Sequence, residues 1–273
     1  MSHTQKLSFI GAGRMTDAII SGIIKADIFL PQNIFISDKD GKRLEELAER
    51  FNVEVTRSNT EAVAVSDIVV LAVKPQIQPA VLKEISGTDI KDKLFISIAA
   101  GISLAYLESK LNKAPVIRVM PNNPCLVGHG MSVLCKGRYA SAGDMEIAEK
   151  IFSSLGRTIV MDEKYLDAVT GLSGSGPAFV YSAIAGMING GELCGISAPL
   201  SKQLALQTFL GAVATFIEAG KSAKELIDMV ASPGGTTIEG LKILDKYKFE
   251  EAMSAAVIAA TKRAREIRMT YEG

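Results

Sequence analysis

Leu7-Ser8-Phe9-Ile10-Gly11-Ala12-Gly13-Arg14-Met15-Thr16 decides the fold. The first residues, apolar except for Ser8, read as a strand, and residues 15–25 read as a helix. Between them lies a GxGxxG-like turn. That fingerprint carries weight only when a strand precedes it and a helix follows, which is the context here. Gly11 permits the tight turn. Gly13 lets the backbone approach a pyrophosphate, whose charge meets the helix amino terminus. Thr16 stands where Gly or Ala is usual, and is expected to loosen the helix–strand approach slightly. An ordinary turn between strand and helix is the competing reading.

Outward from this stretch, short apolar runs alternate with amphipathic segments. Residues 34–36, 68–73, 94–98 and 116–119 read as strands, and residues 42–51 as a charged surface helix. Ile68-Val69-Val70-Leu71-Ala72-Val73 is continuous and β-branched, as in a strand buried on both faces of a parallel sheet. The alternation persists to about Met161, and strands then stop. Residues 166–172, 178–194, 199–219, 223–230, 238–247 and 251–269 all read helical, with a capping box at Ser222-Ala223-Lys224-Glu225. The expected architecture is α/β. Residues 1–161 are expected to form a Rossmann-type doubly wound parallel sheet, and residues 162–273 an all-helical dimerisation domain. The late helices are apolar on every face, so each needs burial on several sides. Such a domain cannot bury that surface alone and is expected to be a subunit interface.

Composition excludes several classes. Apolar residues make up 48% of the chain, enough for a substantial core. Lys+Arg and Asp+Glu balance at 30 each, so no net field attracts nucleic acid or a membrane surface. Cys125, Cys135 and Cys194 are far apart and form no CxxC pair, which argues against a disulfide framework or zinc knuckle and for a reducing, cytoplasmic setting. Residues 1–6 lead into the first strand without a signal-peptide apolar region. The apolar stretch 178–217 is broken by Asn189, Glu192, Pro199 and Lys202, so it reads as buried helices rather than a membrane span.

Asp38 follows the second strand, where a carboxylate bonds the adenine ribose hydroxyls; it could equally cap the next helix. Val73-Lys74-Pro75 and Ala99-Ala100-Gly101 follow two further strands, at the carboxyl edge where open sheets bind ligands. The second of these is equally a plain tight turn. Ser232-Pro233-Gly234-Gly235-Thr236-Thr237 leads into a helix. It reads either as an anion nest for a small carboxylate or as a simple helix cap. Leu172-Ser173-Gly174-Ser175-Gly176-Pro177 reads as a small-residue turn, with close packing at a domain junction its favoured explanation. The histidines are His3, near the terminus, and His129, in a turn. No HExxH, carboxylate-rich metal motif or GxSxG elbow occurs, so no metal site is expected. The chemistry is expected to come from a cofactor.

These residues are familiar together. Over essentially its full length the chain resembles pyrroline-5-carboxylate reductases. The resemblance rests on Phe9-Ile10-Gly11-Ala12-Gly13, Ala72-Val73-Lys74-Pro75, Ala99-Ala100-Gly101, Arg118-Val119-Met120-Pro121-Asn122, Thr170 through Ala178, and Ser232 through Ile238. The last two stretches are the family-specific ones. Asn123 departs from the family's Asn-Thr-Pro. The resemblance implies reduction of 1-pyrroline-5-carboxylate to L-proline by NADPH or NADH. It places Gly11, Ala12, Gly13, Arg14, Met15, Asp38, Asn59, Ala72, Val73, Lys74, Pro75, Ala99, Ala100 and Gly101 at the cofactor. It places Ser232, Gly235 and Thr236 at the substrate carboxylate, Glu163 near the substrate, and Thr237 on the ring nitrogen as the catalytic residue. It also implies homodimers through the helical domain, assembled further into pentamers of dimers. Asp38 favours NADH and repels the 2′-phosphate of NADPH, while Lys39 and Lys42 would pair with it. Both cofactors are expected to work, NADH at least as well.

Two rival readings follow from the same sequence. A β-hydroxyacid dehydrogenase would carry a lysine a few residues past the glycine-rich turn of its second domain. Here Gly176-Pro177-Ala178-Phe179-Val180-Tyr181 has none, and the next is Lys202. A non-catalytic dinucleotide sensor would need the first glycine motif but not the Pro-Gly-Gly-Thr-Thr loop.

Overall fold

A computed structural model describes residues 4–272; His3 lies outside the described residues. The chain divides into two compact units, Met1–Ser175 with Ala259–Gly273, and Gly176–Ile258.

The first unit is built on eight strands among the described residues: β1 (Leu7–Ile10), β2 (Ile34–Ser37), β3 (Glu54–Thr56), β4 (Ile68–Leu71), β5 (Leu94–Ser97), β6 (Val116–Met120), β7 (Gly130–Lys136) and β8 (Gly156–Val160). They form one sheet in the order β3-β2-β1-β4-β5-β6-β7-β8. All pairings are parallel except β6 with β7. The expected parallel sheet therefore carries one antiparallel step. A connection with one 3₁₀ helix (Asn123–Val127), ending at Gly128 with positive φ, replaces an α-helical crossover there and reverses the chain.

Helices cover both faces because the strand residues alternate. Ile68 and Val70 pack with α1 (Arg14–Lys25), α2 (Gly41–Phe51) and α6 (Ala142–Ser153). Val69 and Leu71 pack on the opposite face with α3 (Asn59–Ala64), α4 (Gln78–Ile85) and α5 (Leu104–Lys110). The registers Ile10↔Ser37, Ile10↔Leu71 and Leu71↔Ser97 align the carboxyl ends of the central strands. The strand order reverses between β1 and β4, which opens the crevice of a doubly wound sheet at that point.

The strand expected over 68–73 ends at Leu71. Ala72 N–H still bonds Ile10 C=O at 2.9 Å, and the chain then turns away at Lys74, whose C=O accepts from Ile77 N–H at 2.9 Å. The turn expected at 172–177 is instead helical. After the short α7 (Leu166–Val169), residues Thr170–Gly174 form a π-helical turn that leads into the next helix, with Ser175 N–H bonding Thr170 C=O at 2.8 Å. Small side chains let the chain underwind there instead of breaking.

The second unit contains α8 (Gly176–Leu193), α9 (Ala198–Ala219), α10 (Ala223–Val230), α11 (Thr236–Lys246) and the first part of α12 (Phe249–Glu272). Ser222 and Glu225 make the expected reciprocal cap on α10. Hydrogen bonds from the Ser222 hydroxyl and backbone hold the Glu225 carboxyl below its ordinary range. In the single chain α8, α10 and α11 bury none of their residues, and α9 buries only Ser201 and Ala205. Leu193, Leu210, Met229, Val230 and Tyr247 all stand in solvent. Phe179, Met187, Phe209, Leu244, Phe249 and Met253 line a groove of about 700 Å³ within this unit. The carboxyl-terminal part of α12 belongs to the first unit, where Arg268 pairs with Asp167 at 3.0 Å and Tyr271 meets Tyr106 edge to face. No helix among the described residues is long and apolar enough to cross a membrane.

Candidate active site

The glycine loop is built to hold an anion. Gly11 has φ +109°, and a Cβ there would lie 2.8 Å from Ala72 C=O, so only glycine fits. Gly13 is the N-cap of α1, makes no side-chain cap, and has open space where a Cβ would project. The first N–H groups of α1 thus face an uncluttered mouth, with the positive end of the helix dipole behind them. Arg14 is exposed and Met15 half-buried beside it. Thr16 does not loosen the turn. It is fully buried, and its hydroxyl donates to Gly11 C=O at 2.6 Å, tying helix to loop.

Asp38 is held against this loop. Its Oδ2 accepts from Ala12 N–H at 2.6 Å, and its Oδ1 from Asp40 N–H at 3.0 Å. The cap of α2 is Asp40, which accepts from Arg43 N–H at 3.2 Å. Of the two readings of Asp38, the helix cap is therefore taken by its neighbour. Asn59 is buried; it accepts from Ser37 Oγ at 2.7 Å and donates to Glu84 at 2.9 Å. It braces the strand end from which Asp38 projects.

Ala72 through Pro75 and Ala99 through Gly101 lie beside this loop, following β4 and β5 at the same edge of the sheet. Gln78, at the start of α4, joins the two: it is buried and donates to Ser97 Oγ at 3.1 Å. Gly101 has φ +75°, and a Cβ there would lie 2.6 Å from Ile267 Cγ2 of α12, so helix packing alone requires glycine at this turn.

Two arginines escaped the sequence reading. Arg43 donates from Nε to Ala12 C=O at 3.0 Å, from Nη2 to Asp17 at 2.8 Å and from Nη1 to Glu46 at 3.0 Å. The hydrogen bond to Asp17, then that to Glu46, pushes its guanidinium above its ordinary value. Lys39 and Lys42, the cations named from sequence, are exposed. Arg118 is the largest fully buried side chain, and its Nη1 meets Glu163 Oε1 at 2.7 Å. The same oxygen accepts from Leu104 N–H at 2.7 Å, at the start of α5. The signal for Arg118 was present: a charge in the otherwise apolar run Val116-Ile117-Arg118-Val119 must have a partner if buried. Cys135 lies opposite Arg118 across β6 and β7; burial pushes its thiol up to about 12, against the pull of Arg118.

Ser232, Gly235, Thr236 and Thr237 lie in the second unit. The chain turns at Pro233-Gly234, and Gly235 N–H bonds Ser232 C=O at 2.9 Å. Gly235 is the N-cap of α11 and gives no side-chain cap, and Thr236 and Thr237 occupy the first helical positions. Of the two readings of this loop, a threonine cap is absent. The first N–H groups of α11 and the threonine hydroxyls stand at one helix end. His129 lies in an exposed turn before β7.

Residues 163–267 match the family model described as pyrroline-5-carboxylate reductase dimerisation, and residues 6–101 match the model described as NADP oxidoreductase coenzyme F420-dependent. The pyrroline-5-carboxylate reductase of Methanosarcina acetivorans is 42% identical, over 97% of this chain and 98% of its own. The chain belongs to the pyrroline-5-carboxylate reductase family. The Glycine max member is 41% identical over 97% of both chains. The crystal structure of the Plasmodium falciparum pyrroline carboxylate reductase with NADP bound superposes with a TM-score of 0.90. It is 35% identical and covers 97% of this chain and 99% of that one. The helical region recognised as the reductase family's dimerisation domain begins at Glu163, the residue that pairs with Arg118.

Proposed function

We propose that this chain reduces 1-pyrroline-5-carboxylate to L-proline with NADPH or NADH, in the cytoplasm. The observation that carries the reading is the presence, in one chain, of two helix starts capped by glycine, Gly13 and Gly235, and so without a side-chain cap. One lies behind a glycine loop at the switch point of the sheet, and the other behind Pro-Gly-Gly. The first suits a pyrophosphate and the second a small carboxylate. When bound, the reduced nicotinamide supplies the hydride.

The protein does the rest by binding and orientation. Ser232, Gly235, Thr236 and the first N–H groups of α11 hold the substrate carboxylate. The Thr237 hydroxyl orients the ring nitrogen, so that the imine carbon is presented at near-attack geometry. A substrate that arrives as the iminium needs no strong general acid. Glu163, near the substrate in this reading, acts mainly as a brace, because Arg118 already neutralises its carboxylate. Asp38 bonds the adenine ribose, with Asn59 behind it, and residues Ala72 through Pro75 and Ala99 through Gly101 wall the cofactor crevice. Running the reaction backwards tests the reading: at alkaline pH, proline is expected to reduce NAD⁺ or NADP⁺. A chain that oxidises a β-hydroxyacid and leaves proline untouched would contradict it.

Asp38→Ser is expected to shift the ratio of kcat/KM toward NADPH. Repulsion between a partly solvated carboxylate and a 2′-phosphate is worth about 1–3 kcal/mol, so the shift is about 5- to 150-fold. Steady-state kinetics with both cofactors measures it. An unchanged ratio would remove Asp38 from the ribose.

The apolar faces of α8 to α11 are covered, in this reading, by a second copy of the chain, with pentamers of such dimers as the larger assembly. The interface should exceed about 2,000 Å² in total. Light scattering at micromolar concentration is expected to give a dimer or a multiple of it. A monodisperse monomer would contradict the reading.

A further inference from the structure

Ala12 is gripped through both of its peptide groups. Its N–H donates to Asp38 Oδ2 at 2.6 Å, and its C=O accepts from Arg43 Nε at 3.0 Å. A carboxylate and a guanidinium therefore meet at one residue of the glycine loop, on its two successive peptide groups. The carboxylate stands where a doubly wound sheet reads the adenosine ribose, and the guanidinium binds the next peptide of the same loop. Resting on the proposed cofactor site, we propose that Arg43 reads the 2′ position of the cofactor's adenosine, and that Glu46 competes with a 2′-phosphate for its guanidinium.

The partners of Arg43 differ in a way that supports exchange. Nη2 holds Asp17 at 2.8 Å; the Asp17 side chain is only 17% exposed and is gripped from its other side by Arg50. That arm is fixed. Nη1 holds Glu46 at 3.0 Å, one turn along the same helix, and the Glu46 side chain is 50% exposed. A solvated pair of this kind is weak and easily replaced. A phosphate dianion offers the guanidinium fork a stronger acceptor. NADPH would take Nη1 from Glu46, and NADH would leave the pair closed. Asp38 and Arg43 then act with opposite signs on the same phosphate, which is how one loop accepts both cofactors. The lysines at 39 and 42 are exposed, whereas Arg43 is aimed at the loop before any ligand arrives.

Calorimetric titration of the full chain with 5′-AMP and with adenosine 2′,5′-bisphosphate isolates the 2′-phosphate without turnover. Arg43→Met is expected to weaken the bisphosphate about 10- to 150-fold, the cost of a lost hydrogen bond to a charged group, and to leave 5′-AMP within about 3-fold. Glu46→Gln is expected to tighten the bisphosphate about 2- to 5-fold, the strength of a surface pair, with 5′-AMP unchanged. Equal losses for both ligands in Arg43→Met would show a brace for Ala12 and overturn the proposal, as would no change for either. Failure of the unaltered chain to bind either nucleotide would instead sink the cofactor site itself.

Discussion

Glu163→Ala is expected to lower the stability of the fold by about 3–5 kcal/mol, the cost of leaving a buried charge without its partner. Arg118 is 1% exposed on a central strand, and Glu163 is the carboxylate paired with it. One oxygen, Glu163 Oε1, serves both Arg118 and the N–H of Leu104. The alanine variant therefore strands a guanidinium and a helix-start donor together. Urea unfolding measures the effect as a lower midpoint with an unchanged slope. Glu163→Gln keeps a neutral acceptor and should lose less. Replacing both members by apolar residues, Arg118→Met with Glu163→Leu, should recover much of the loss, because buried pairs often gain little over well-packed hydrophobes. A loss below about 1 kcal/mol in Glu163→Ala, the level of an exposed pair, would show that Arg118 is stabilised by something else.

Thr237→Ala is expected to cut kcat/KM for 1-pyrroline-5-carboxylate about 10- to 150-fold while cofactor affinity stays nearly intact. The hydroxyl sits at the second position of α11, behind Gly235, and the helix start has no side-chain cap. It is therefore free to serve a ligand rather than the helix. An orienting hydrogen bond to a charged group is worth about 1.5–3 kcal/mol. Thr237→Ser should keep most of the activity, since it retains the hydroxyl. Initial rates at saturating cofactor check both variants, and wild-type rates in Thr237→Ala would remove the residue from the mechanism.

The fold was legible because its signals are local. Leu7-Ser8-Phe9-Ile10 announces a strand, Ile68-Val69-Val70-Leu71 one buried on both faces, and Gly11 and Gly13 the turn that follows the first. The reversal at β7 was not legible. The segment Gly130–Lys136 is not among the apolar runs that read as strands, and the direction of β7 is set by the connection through Gly128, which sequence periodicity does not encode. Thr16 looks like a flaw in the fingerprint, and only the folded chain shows its hydroxyl on Gly11 C=O. Arg43 was hidden for a different reason. On a helix that reads as a charged surface, nothing in the spacing says which charge folds back 31 positions to Ala12. Glu163 was placed near the substrate by resemblance, but its bond to Arg118 joins residues 45 positions apart. Long-range polar pairs of this kind leave no periodic trace.

The central claim is that this chain reduces a cyclic imine to the cyclic secondary amine proline. Mixing the purified chain with 1-pyrroline-5-carboxylate and reduced cofactor, then following loss of the reduced nicotinamide while quantifying proline, tests it most directly. One proline is expected for each NADPH or NADH oxidised, with NADH used at least as well. Cofactor binding without proline formation under these conditions would contradict the account.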